Sequence, residues 1–108
     1  MLNSVTLQGR LTDSPELKST VSGTLCTRFC VAVERRIASA DGHRETDFID
    51  TLAWKSTAEF VCKHFQKGDM ILIRGSIQTR SCEAKDGSKR TAVEIVVDEV
   101  SFCGANSR

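Results

Sequence analysis

The chain has 108 residues, 40% apolar and 27% charged, the proportions of a single soluble globular domain. No apolar run approaches the roughly 20 residues of a membrane span, and the opening MLNSVTLQGR lacks a basic segment followed by an apolar one, so a cytoplasmic protein with no membrane partner is expected. Its 15 Lys and Arg against 14 Asp and Glu leave a net charge of +1, so the placement of charge says more about partners than its sum.

Residues 3 to 11 alternate, with Val5, Leu7, Gly9 and Leu11 on one face and Ser4, Thr6, Gln8 and Arg10 on the other, which predicts a half-buried strand. The stretch TDSPELKSTVSG, with turn formers and the single Pro, predicts a loop. Leu25, Thr27, Phe29, Val31 and Val33 then alternate with Cys26, Arg28, Cys30, Ala32 and Glu34. A polar loop, RRIASADGHRET, precedes a third strand containing DFIDTLAW, residues 47 to 54. In KSTAEFVCKHFQKG, Ser56 and Glu59 have the spacing of a capping box, and Ala58, Val61, Cys62 and Phe65 form one apolar stripe. Gly68 fits a helix terminator. A fourth strand is predicted from about Met70 to Cys82, with Gly75 marking a bend or bulge. The turn AKDGSK leads to a fifth strand, from about Arg90 to Phe102. Three strands, one short helix and two strands predict a small closed or partly closed barrel, without a repeat or second domain.

Little in this pattern suggests catalysis. His43 and His64 have no recognisable nucleophile signature beside them, and neither a P-loop nor H-E-x-x-H occurs. The five Cys form no C-x-x-C pair; Cys26 and Cys30 lie about 13 Å apart on one strand face, too far to bridge or to share a metal. Free thiols in a reducing compartment, no metal and no other cofactor are expected.

Rings and cations off the core faces are more informative. Phe48 and Trp54, the only Trp, have the same parity on the third strand and stand about 20 Å apart on one side. Asp50 between them argues against burial, because an unpaired buried carboxylate is costly. Parity alone leaves two readings open, core residues or landing places for a ligand along the sheet. On a helical wheel Phe60 falls opposite the apolar stripe, flanked by Lys63 and Lys67. The fourth strand sets Ile71, Ile73 and Ile77 against Arg74, Gln78 and Arg80. Loops add Arg35, Arg36, Arg44, Lys85, Lys89 and Arg90, while Asp98 and Glu99 lie elsewhere in sequence, so a basic track can hide under the +1 average.

The ordered set MLNSVTLQGRLTDSPELKST, SGT, RFCVAVER, DFI with the following Trp, AEF, KGD, GSIQTR and EIVVDEVSF resembles the DNA-binding domain of bacterial single-stranded-DNA-binding proteins over about residues 1 to 103. The resemblance implies an all-β OB-fold, a five-stranded Greek-key barrel with a helix between the third and fourth strands, in a homotetramer that wraps single-stranded DNA in replication, recombination and repair. By position, Phe48, Trp54 and Phe60 match the family's base-stacking rings and Arg80 its T-R segment. Arg36, Lys63, Arg74, Arg35, Lys85 and Lys89 are the expected cations of the same path. Ile49, Thr51 and Ala53 would then face inward.

The departures are equally specific. Cys82 and Ile37 stand where the family often has aromatic residues, and Ser4 where a basic residue is common. The chain ends at GANSR, residues 104 to 108 being read as a short disordered C-terminus, without the flexible tail and acidic tip through which the family recruits replication partners. Tail-mediated partners are therefore not expected. The alternative reading is an OB-fold accessory module, primosome-like, that binds partners and touches DNA weakly.

Overall fold

The structure, a computed structural model, describes residues 1 to 103; the expected C-terminal segment 104 to 108 lies outside the described residues. Its elements are β1 (Val5–Leu11), β2 (Lys18–Ser19), β3 (Leu25–Glu34), β4 (Thr46–Trp54), α1 (Lys55–His64), β5 (Met70–Glu83) and β6 (Lys89–Phe102). The alternating stretches became strands as expected. β2, a two-residue edge pairing Lys18 with Cys26 and Ser19 with Leu25, is added within the expected loop.

The strands close into a ring in the order β1-β5-β6-β4-β3, with β3 returning to β1. This is the OB-fold expected, with the helix between β4 and β5. β4 and β6 run parallel at Thr51↔Ile95 and Leu52↔Val96; the other pairs of the ring are antiparallel. β1 serves both neighbours, pairing with β5 from Val5↔Gly75 to Arg10↔Met70 and then with β3 at Arg10↔Ala32 and Leu11↔Val31. Gly9 permits the crossing: a Cβ there would stand 2.4 Å from the Ala32 carbonyl oxygen.

Val31, Ile71, Ile73 and Val61 are fully buried at the centre, and α1 plugs the ring with Ala58 and Val61, joined by Phe65 just past its end. Each such aliphatic side chain is worth about 1.5–3 kcal/mol relative to exposure. Thr51 also points inward, and its hydroxyl donates to the Phe29 carbonyl at 2.7 Å, so the polar group is satisfied in the interior.

Three local expectations are corrected. The helix does not start at a Ser56–Glu59 capping box: Trp54 is its N-cap, with no side-chain cap bond, and Lys55, at φ +56°, turns the corner out of β4. The chain enters the helix straight from a paired strand, so Ser56 is already inside the first turn. Nor does Gly68 end the helix. The helix stops at His64, Phe65 is extended, and Gly68 belongs to the following turn, donating its N–H to the Leu11 carbonyl at 2.9 Å. Lys67 therefore lies beyond the helix, and its helical-wheel position beside Phe60 does not apply.

Ile77 is the third correction. It was placed with Ile71 and Ile73 but is 45% exposed. The register shifts between Arg74 and Gly75, as a strand glycine suggested; Ile77 still pairs with buried Ile95, and beyond it β5 runs exposed from Gln78 to Ser81 against β6 as a two-stranded arm. The arm's root is tied to the N-terminal segment: the Asn3 amide donates to the Ile77 carbonyl at 2.8 Å and accepts from its N–H at 2.9 Å.

Candidate nucleic-acid interface

The outer face of β4 settles the parity of DFIDTLAW. Phe48 is 68% and Trp54 37% exposed, while Thr51 and Ala53 are buried and Ile49 packs against the core. The two rings thus stand on one solvent-facing side. β3 lies alongside with Ala32 opposite Phe48, Cys30 opposite Asp50, Arg28 opposite Leu52 and Cys26 opposite Trp54. On the far side, β4 leaves β6 above the Thr51↔Ile95 pair, and a cleft of about 330 Å³ opens there, lined in part by Cys30, Asp50, Arg80 and Glu94.

Across the middle of this face runs a three-residue charge cluster. The Arg28 guanidinium donates to Oε2 of Glu94, and Arg80 Nε approaches Oε1 of the same carboxylate at 3.7 Å. Glu94 is only 8% exposed, whereas both arginine side chains are about half exposed. Because Arg28 starts on β3 and Glu94 lies on β6, their bond spans β4 at the level of Asp50 and Leu52. Leu52, an outward-parity residue absent from the core cluster, is buried at that level, between Arg28 on β3 and Val96 on β6. Two guanidiniums thus sit between the rings, above a strand that carries them at either end. Arg28 and Glu94 were not singled out from sequence. Outward parity marked Arg28 only weakly, and nothing near Glu94 announced a partner 66 residues away.

The other expected cations divide by what already holds them. Arg35 makes a two-point bond with Asp47 at 3.0 Å and an ion pair with Glu45 at 2.9 Å, closing the base of the β3–β4 loop. The hydrogen bond from Arg35 holds the Asp47 carboxyl below its ordinary range, and the same bond raises Arg35. Arg74 is paired with Glu99 across β5 and β6, one of the acids that sequence separation had set apart from the basic residues. Arg36, Lys63, Lys85 and Lys89 make no ion pair among the described residues and are exposed. Lys85 lies in the turn at the arm's tip, where the Ala84 N–H bonds to the Ser88 carbonyl at 2.8 Å, and Lys89 begins β6.

Phe60 is not a free ring. It is half-buried against His64 at 4.7 Å and Phe102 at 5.6 Å between centroids, and Phe65 stacks on Phe102 at 5.1 Å. The structure therefore brings Phe48, Trp54 and Arg80 to one face and places Phe60 in an aromatic cluster between the helix and the end of β6. Of the positions where aromatic residues were missed, Ile37 is 85% exposed in the β3–β4 loop, and Cys82 is half-buried two residues beyond Arg80.

The sequence profile described as the single-strand binding protein family matches residues 2 to 103. The chain belongs to this family. It is 51% identical over 102 residues to the Single-stranded DNA-binding protein of Clostridium tetani, covering 94% of this chain and 70% of that one. It is 43% identical to Single-stranded DNA-binding protein 2 of Staphylococcus aureus, covering 94% of this chain and 72% of that one. With the Single-stranded DNA-binding protein of Oceanobacillus iheyensis it shares 41% identity over 94% of its own length, but spans only 63% of that relative. No metal-ligand cluster is present among the described residues of this family member, and no helix among them is long and apolar enough to cross a membrane.

Proposed function

We propose that this chain binds and protects single-stranded DNA without sequence preference, as one domain over residues 1 to 103, in replication, recombination and repair. The observation that carries the reading is the outward pair Phe48 and Trp54 on β4, with the Arg28 and Arg80 guanidiniums between them. Every base has a π-face, so spaced rings accept any sequence, and cations between them take the phosphates. The relatives named for this activity support it. Nothing in the mechanism requires catalysis: affinity comes from stacking and charge alone.

Titrating the Trp54 fluorescence with oligo-dT tests the reading. Saturable quenching is expected, equal for oligo-dT and a mixed sequence of the same length, and weakened by salt. An emission unchanged by oligo-dT at low salt would leave the alternative, an accessory module whose arginines are engaged within the protein. The ion pairs of Arg35, Arg74 and Arg80 are what favour that alternative.

In this reading Arg36, Lys63, Lys85 and Lys89 approach phosphates as unpaired cations, while Arg35, Arg74 and Arg80 meet them from existing ion pairs. Each phosphate contact steepens the slope of log affinity against log salt by about 0.7. Arg80→Ala is expected to flatten that slope by about one contact, equally for poly-dT and mixed sequence. Phe48→Ala, at the exposed ring, is expected to lower affinity with the slope unchanged, because stacking releases few ions. An Arg80→Ala protein with the original slope and affinity would put Arg80 off the DNA path.

The chain is further proposed to assemble as a homotetramer. Membership of the single-strand binding family supports this reading, and the interface is expected away from the outer face of β3, which lies beside Phe48 and Trp54 on the proposed DNA path. Sedimentation at micromolar concentration is expected to give a tetramer; monomer alone would contradict it.

A further inference from the structure

A carboxylate in the middle of a surface that must attract phosphate requires a reason. Glu94 is such a group. It lies on the outer face of β6 beside β4, it is buried, and both its oxygens are turned to guanidiniums whose side chains are half exposed. The two arginines come from β3 and β5, strands that are not neighbours in the ring, and on this face they meet through Glu94. A buried carboxylate is screened by salt less than the exposed acids of the loops, while its half-exposed partners keep the interaction close to its strength in water. Two positive groups and one negative leave the cluster with a single net positive charge, and exposed Asp50 stands nearby on β4.

We propose that Glu94 is a positioning residue that sets how many phosphates the centre of the face can hold: it orients Arg28 and Arg80 between Phe48 and Trp54 and cancels one of their two charges. A strand lying across the rings then finds two aligned guanidinium forks but only one uncompensated charge. The centre makes one full phosphate contact where two arginines without the carboxylate would make two. Release of the strand is correspondingly easier, because less counterion uptake is needed to free it. The inference rests on the single-stranded-DNA reading proposed above and adds to it the group that limits affinity at its centre.

The test is Glu94→Gln, which keeps the side-chain shape and one acceptor for Arg28 while removing the charge. Affinity for labelled oligo-dT, read by anisotropy over a range of salt, is expected to rise about fivefold at low salt, as for one unit charge about 4 Å away in water. The slope against log salt is expected to steepen by about 0.7, one phosphate contact. Arg28→Gln moves the other way, leaving the carboxylate opposed to Arg80 alone and flattening the slope by about the same amount. This second variant carries the test even if Glu94→Gln fails to fold. Asp98→Asn changes the net charge equally on the same strand, at a residue with no ion pair among the described residues. Its slope is expected to stay at the wild-type value. A Glu94→Gln slope that is unchanged or shallower, or an Asp98→Asn slope that steepens as much, overturns the inference. If instead the unmodified chain binds no oligo-dT at any salt, the reading beneath it fails.

Discussion

A protein with both Phe48 and Trp54 replaced by alanine is expected to bind oligo-dT about 2–6 kcal/mol more weakly than the unmodified chain, at 1–3 kcal/mol per stacked base. The smaller figure is already about a thirtyfold loss. The rings are about 20 Å apart on one strand and share no partner, so their effects should add. Phe48 is the more exposed and its loss should leave the fold untouched. Trp54 is the N-cap of the helix, but it caps through its backbone alone, so alanine preserves that role. The measurement is anisotropy of a labelled oligonucleotide, since the double variant has lost its only Trp. Circular dichroism and thermal melting of the free protein supply the control. Wild-type affinity in a folded double variant would remove β4 from the DNA path. A variant that does not fold would mean the rings support the barrel, contrary to their exposure.

The largest expected effect on stability is at Gly75. An added Cβ would lie 2.0 Å from the Val96 carbonyl oxygen and 2.9 Å from its carbon. Those are backbone atoms within the β5–β6 ladder, so relief requires moving a strand rather than turning a side chain. Gly75→Ala is expected to cost about 3 kcal/mol or more, the upper range for overpacking. At roughly 4–8 °C per kcal/mol for a domain near this size, melting should fall by about 12 °C or more. A melting point within a few degrees of the original would show that the ladder opens easily at the bulge. The site has a functional side too. The bulge lies between the barrel and the arm, and Arg80 sits on the arm five residues beyond Gly75, so the same glycine controls where that guanidinium meets Glu94.

Strand content and inward faces were legible in the sequence because side-chain alternation is a local, period-two property that a buried face imposes on each strand separately. Leu25 to Val33, Ile71 and Ile73 show it directly. The apolar stripe of the helix was legible for the same reason, while its ends were not: tertiary entry from β4 overrode the Ser56 capping signal, and the chain turned extended at Phe65 before reaching Gly68. The outward aim of Phe48 and Trp54 was only half legible. Parity put them together, but choosing the side needed either the resemblance or the ring, in which Thr51 and Ala53 are small enough to fill the interior. Ile77 has core parity and pairs with buried Ile95, yet it is exposed because it stands at the root of the arm, where β5 begins to run out from the barrel. The charge cluster was hidden altogether. Arg28, Arg80 and Glu94 occur on three strands, and their meeting depends on the parallel register of β4 with β6 and the antiparallel registers on either side. A one-residue slip in any of these would turn a side chain to the opposite face. Local sequence encodes which residues can face out; only closure of the ring decides which outward charges meet, because ion pairing acts over a few ångströms in space whatever the separation along the chain.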